Sequence, residues 1–277
     1  MGLRIGTNVA ALNAQKNLYM TQINANRSMA RLASGFRINQ ASDDAAGLAI
    51  SENLKGQIRG LRQANRNAND GISLVQVAEG SLNEVSNMLI RLRELGVQAS
   101  SDTIGETERK FLDVEYQQLK SEIQRITEAT VYNGYELLNG TGGMIDIQVG
   151  TNNDPFRDRI SFNAGAANAS LEALGLTAES VGTKEGAQLS LTTIDQAMTS
   201  VNAIRANFGA LQNRLVSTSN NLLIADENLS AANSRIRDTD VASETSEMTR
   251  NNILLQAGIS VLGQANQSQQ LALKLLG

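Results

Sequence analysis

The 277-residue sequence predicts a mainly α fold, an elongated antiparallel bundle of long coiled-coil helices carrying one small β-hairpin region. Three observations predict it. Two long stretches hold apolar side chains at steps of three and four with almost no breakers. Apolar residues make up 41% of the chain but aromatics only 3%, so burial rests on Leu, Ile, Val and Ala, which suit helix seams better than a globular core. Strict alternation occurs in one region only, near the middle.

Taken in order, residues 3–33 show Ile5, Val9, Leu12, Tyr19, Ile23 and Ala30, with polar Lys16 and Asn26 interrupting the stripe. From Ile50 the series runs through Leu54, Ile58, Leu61, Ala64, Ala68, Ile72, Val75, Ala78, Leu82, Val85, Leu89, Leu92, Leu95 and Ala99. Its mean step is about 3.5, the coiled-coil period. Ser42 before Asp43 and Asp44 reads as a cap with acidic side chains in the first turn. A helix over 42–100 would be roughly 90 Å long, so the expected shape is a rod. Gly96, Ser100, Ser101 and Gly105 loosen the chain into an antiparallel return, where Leu112, Leu119, Ile123 and Ile126 form a third helical face.

Between 131 and 186 the period changes to two: Ile145, Ile147 and Val149 alternate with Asp146 and Gln148, and Ile160 and Phe162 resume after the turn-rich Thr151–Pro155, one hairpin. The glycines at 140, 142 and 143 read as turn chemistry, because no Lys-Ser/Thr follows to make a phosphate loop. A second long series, Leu191 to Ile236, has Thr218 in one seam position. At the carboxyl end Val241, Met248, Leu255, Leu262, Gln269 and Leu276 recur every seven residues, with Thr245, Asn252, Ile259, Asn266 and Leu273 as companions. So polar a seam is weak alone, and each terminal helix needs a partner, either the other one or another subunit. The segments are therefore 1–41, 42–130, 131–186, 187–237 and 238–277.

Composition excludes most chemistry. With no His and no Cys there is no Ser-His-Asp triad, thiol nucleophile, HExxH zinc site or Cys-ligated cluster, and no catalytic residue, metal or cofactor is expected. Asp43 and Asp44 do not make an acid/base pair, since adjacent helical residues point about 100° apart. A net charge of −4 and a pI near 5.1 argue against nucleic acid as partner. The amino terminus lacks an apolar leader segment, so the chain is expected to be cytosolic or exported by a route that reads no cleavable signal. Asn is frequent, with 28 residues, and Asn26, Asn252 and Asn266 fall on or beside the terminal stripes, where amides can set helix register.

The segment LASGFRINQASDDAAGLAI, residues 32–50, resembles the amino-terminal signature of bacterial flagellins, and GLRQANRNANDGIS, residues 60–73, continues it. At the other end SRIRDTD (234–240), Gln256-Ala257-Gly258, Ala265-Asn266-Gln267 and Leu275-Leu276 are similar to the family's carboxyl terminus. The resemblance implies a minimal flagellar filament subunit for swimming motility, without outer inserted domains, its termini pairing as a coiled coil in an inner core. It implies unfolded passage through the flagellar type III export apparatus, assembly at the filament tip into a homopolymer, and location in the extracellular flagellum. Implied partners are an export chaperone at 238–277, the filament cap and the hook-filament junction proteins. The inner-core interface is then expected at Ile5, Val9, Leu12, Ile23, Val241, Met248, Leu255, Ile259, Leu262 and Leu276. Arg31, Arg37 and Asp44 are candidates for salt bridges that set register between subunits. Arg91, Glu94, Leu95 and Glu115 resemble the segment read by the vertebrate Toll-like receptor for flagellin, an incidental capacity beside subunit packing. The competing reading is a hook-filament junction protein of the same helical family.

Overall fold

The computed structural model describes residues 7–274, with side chains described through residue 267. Ile5 and Leu276, two of the expected interface residues, lie outside the described residues. The elements in chain order are α1 (Val9–Ser34), α2 (Ala45–Ala99), α3 (Glu106–Ala129), β1 (Val131–Tyr132), β2 (Tyr135–Glu136), β3 (Met144–Gln148), β4 (Arg159–Asn163), α4 (Lys184–Arg237) and α5 (Val241–Lys274), with a short 3-10 turn at Ala164–Ala166. The chain forms two compact units, one from its two ends up to Gly56 and from Asn228, the other from Gln57–Glu227.

In the second unit the 3.5-residue series becomes the core. Val75, Ala78, Leu82, Val85, Leu89, Leu92, Leu95 and Ala99 of α2 are fully buried, facing Ile194, Val201, Phe208 and Leu215 of α4 and Tyr116 and Ile123 of α3. Cross-links at both ends of this seam show that α2 and α4 run antiparallel: Arg62 meets Asp226 at 3.0 Å and Arg93 meets Asp195 at 2.8 Å. Ser219, rather than neighbouring Thr218, takes the polar seam position, where it accepts from the Asn65 amide at 3.2 Å. Gly96 lets the helices close, because a Cβ there would stand 3.1 Å from Leu191.

The turn between α2 and α3 is held by a buried cation. The Arg109 guanidinium donates to the carbonyls of Ala99 and Ser101, each at 2.8 Å, satisfying acceptors that the end of α2 leaves open. On the same helix Lys120 is buried, with Nζ donating to Thr177 O and Glu179 O at 3.1 and 2.7 Å, which fastens the connector leading into α4. Burial pushes the neighbouring Tyr116 phenol up to about 12.

The alternating segment forms the expected hairpin, with Ile147 opposite Ile160 and Ile145 opposite Phe162. It lies against the helices through residues with little or no bulk: a Cβ on Gly71 would stand 2.6 Å from Ile147, and Asn67 donates to Gln148 O at 2.9 Å. From the other side the Phe162 and Phe208 ring centroids are 4.9 Å apart. The structure adds a second, two-residue hairpin of β1 and β2, closed by Asn133 and Gly134 with φ of 48° and 83°, so the region holds two hairpins rather than one. Its strands are too short for alternation to show.

The expected cap of α2 is displaced by two residues. Ser42 and Asp43 lie in a turn, where the Asp43 carboxylate accepts from the amides of Asn39 and Gln40 at 3.2 Å. Asp44 is the cap: its carbonyl accepts from Leu48 N and its side chain from Gly47 N at 2.8 Å, and no acidic residue lies in the first turn.

Candidate functional site

In the first unit α1 and α5 pack directly on one another. Asn8 donates to Ala265 O at 3.0 Å, a Cβ on Gly258 would stand 2.9 Å from Leu18, and Arg31 approaches Glu244 at 3.6 Å, an antiparallel order. The terminal helices α1 and α5 therefore pair within one chain.

The seam they share differs from the stripe the sequence suggested. On α1 the sheltered residues are Ala11, Ala14, Leu18, Thr21, Ala25, Ser28 and Leu32, a heptad set one face away from Val9, Leu12, Tyr19 and Ile23. On α5 the seven-residue series is sheltered as expected at Met248, Leu255 and Leu262, but its companions are Glu244, Asn251, Gly258 and Ala265 rather than Thr245, Asn252, Ile259 and Asn266. Size explains the choice: Ala, Ser, Thr and Gly let two backbones approach closely, and large side chains at those positions would hold them apart. Asn26, Asn252 and Asn266 are all exposed, and the buried amide is Asn251, whose Nδ2 has no partner.

The consequence is an outward face rich in large apolar groups. Val9, Leu12, Tyr19, Met20 and Met29 of α1, and Val241, Ile253, Ile259 and Val261 of α5, are each more than half exposed, Leu254 is about half exposed and Ile23 37%. A groove on α5 runs along Val241, Thr245, Thr249, Ile253 and Leu254. Single exposed apolar residues are ordinary, but a run of them along both helices of a pair marks a surface built to be covered.

Arg31, Arg37 and Asp44 all have partners within the chain. Arg31 faces Glu244, the Arg37 guanidinium donates to Ile236 O at 2.7 Å, and Asp44 caps α2. Of the four innate-receptor candidates, three form one exposed cluster: Arg91 lies 2.9 Å from Glu94 and 2.8 Å from Glu115 across the gap to α3. The hydrogen bonds that Arg91 donates to Glu94 and Glu115 raise its pKa further above the ordinary value. Leu95 is separate from that cluster, fully buried at a core seam position, and is corrected from surface contact to core. Among the described residues no three His, Cys, Asp or Glu side chains gather as a metal site, and no helix is long and apolar enough to cross a membrane.

Long seams with a paired, apolar-faced terminus define a structural helical subunit rather than an enzyme. Residues 5–142 match the bacterial flagellin N-terminal helical region and residues 191–276 the bacterial flagellin C-terminal helical region. The chain is 46% identical over 272 residues to the flagellin of Halalkalibacterium halodurans, covering 98% of this chain and 99% of that one. It is 41% identical over 306 aligned residues to the flagellin of Bacillus subtilis, covering 99% and 100%. The crystal structure of Bacillus cereus flagellin superposes with a TM-score of 0.51 at 33% identity, covering 57% of this chain and 88% of that chain. The chain belongs to the bacterial flagellin family. Full-length agreement with flagellins disfavours the junction-protein alternative.

Proposed function

We propose that the chain is exported unfolded through the flagellar type III apparatus and polymerises at the tip of an extracellular filament that drives swimming. The observation that carries this reading is the apolar outer face of the α1/α5 pair. A filament needs heterologous contacts that propagate without closing, and a helix pair that shelters many small residues in its seam leaves large ones on the outside for neighbouring copies. Val9, Leu12, Ile23, Val241 and Ile259 would lie in those inner-core contacts, while Met248, Leu255 and Leu262 serve the pair itself. A chain with no disulfide and one proline suits passage through a channel, since neither a cross-link nor repeated slow isomerisation impedes it.

Before export the same face must be hidden, which supports a chaperone handle within 238–277, centred on the apolar groove of α5. The cap and the hook-filament junction proteins would meet subunits at the two ends of the polymer. The exposed Arg91, Glu94 and Glu115 cluster is the part of the receptor-like segment that an innate receptor could touch, beside its role in joining α2 to α3. Electron microscopy of the purified chain added to sheared filament seeds tests the reading: seeds should lengthen in proportion to added protein. Seeds that stay at their starting length in the presence of folded, intact chain would refute it.

A further inference from the structure

One joint in the first unit uses more charge than its stability requires. Gly35 ends α1 in a left-handed conformation, and the chain then pairs with the segment between α4 and α5: Phe36 stands opposite Asp238 in an antiparallel bridge. Arg37 N donates to Arg237 O at 2.7 Å and Thr239 N to Gly35 O at 3.0 Å. The Arg37 guanidinium adds its bond to Ile236 O, so the last two carbonyls of α4, those of Ile236 and Arg237, accept from the other connector. Over this pairing lies Arg237. Its guanidinium sits 4.7 Å from the centre of the Phe36 ring and forms an ion pair with Glu52 on the first turns of α2.

Arg237 thereby ties together the end of α1, the start of α2, the end of α4 and the approach to α5. Its side chain is only 16% exposed and its Nε has no partner. Withdrawing an arginine from water is costly, and an apolar side chain over Phe36 would hold the joint at least as well. What the ion pair and ring contact supply is direction, because a planar cation stacked on one face and tied to one carboxylate has a single geometry.

We infer that Arg237 is a positioning residue: with Phe36 and Glu52 it holds the connectors 35–38 and 236–239 in one paired conformation, and that conformation sets the helical waveform of the filament rather than its ability to form. The inference rests on the filament reading above. In a filament every subunit repeats the same joint, so a small change of direction at one connector pair accumulates into a change of pitch or curvature.

The test compares the parent with Arg237→Gln and Glu52→Gln. In the free chain, amide exchange at Arg37 and Thr239 should speed up about tenfold or more in R237Q, the change expected when about 1.4 kcal/mol of local protection is lost. Both variants should elongate seeds at a critical concentration within about threefold of the parent, a difference under about 0.7 kcal/mol. Their filaments should show an altered pitch or a mixture of waveforms by electron microscopy. R237Q and E52Q filaments with the parent waveform would overturn the inference, as would folded variants that cannot elongate at all, since the joint would then serve assembly and not shape. If R237Q fails to fold, E52Q carries the same two outcomes. Failure of the parent chain itself to elongate seeds would instead refute the filament reading.

Discussion

Replacing Ile259 by Gln separates assembly from folding. Ile259 is 64% exposed in the free chain, on the outer face of α5. Full burial of an Ile side chain is worth about 1.5–3 kcal/mol, so covering the part still exposed contributes about 1–2 kcal/mol to each added subunit. At about 1.4 kcal/mol per tenfold, the critical concentration of the variant should rise by roughly five- to thirtyfold. Gln is at least as good a helix former as Ile, so the free chain should unfold within about 0.5 kcal/mol of the parent. Sedimentation of seeded reactions gives the first quantity and urea unfolding followed by circular dichroism the second. An unchanged critical concentration would show that the outer face of α5 stays wet in the filament. A loss of more than about 1 kcal/mol in the free chain would show that Ile259 serves the chain's own packing.

Phe208→Ala removes a fully buried ring packed at a tilt against Phe162 of the hairpin, costing about 3–5 kcal/mol, which should lower the thermal midpoint by roughly 6–20 °C. A shift under about 2 °C would mean the hairpin is held elsewhere. Asn251→Leu removes the buried, unpartnered amide from the α1/α5 seam while keeping the side chain's heavy-atom count and branching, and should stabilise that pair by about 1–3 kcal/mol, read from amide exchange along both helices. No gain would mean that water already satisfies Nδ2. The hydrogen bond from Arg237 holds the Glu52 carboxyl below its ordinary range, so its contribution is present above the unfolded pKa and is lost as pH falls through the lowered folded value. The difference in thermal stability between the parent and Glu52→Gln should accordingly be present near neutral pH and shrink progressively as pH falls below the ordinary carboxylate range. A difference independent of pH would show that the ion pair contributes nothing.

Where packing follows apolar volume, the fold was legible: the α2 and α4 series and the alternation along β3 and β4 appear in the structure almost residue for residue, because Leu, Ile and Val have one way to leave water there. The terminal seam was misread by the same logic. Choosing the largest apolar residues selects Val9, Leu12 and Ile23, yet the α1 side of the seam is mostly small residues, with Leu18 and Leu32 among them, and these three lie outside it. The continuous 3-4 spacing of Ala11, Ala14, Leu18, Thr21, Ala25 and Ser28 was available in the sequence but, Leu18 apart, carries little hydropathy. Arg109, Lys120 and Arg237 left no periodic signal, since their partners are distant in sequence: open carbonyls of loops and a helix end for Arg109 and Lys120, and the Glu52 carboxylate and Phe36 ring for Arg237. Leu95 shows the opposite limit: its motif resembled a receptor contact, and its seam period, also visible, placed it in the core.

The chain contains no cysteine, so a single introduced thiol reports one position cleanly. Leu12→Cys, on the outer face of α1, gives the most direct test of that face as the polymerisation surface. The thiol should react with a maleimide at the rate of an exposed cysteine in the free chain and be protected by at least about tenfold in seeded filaments, the protection expected when opening costs about 1.4 kcal/mol or more. Equal labelling rates in free chain and filament would contradict it.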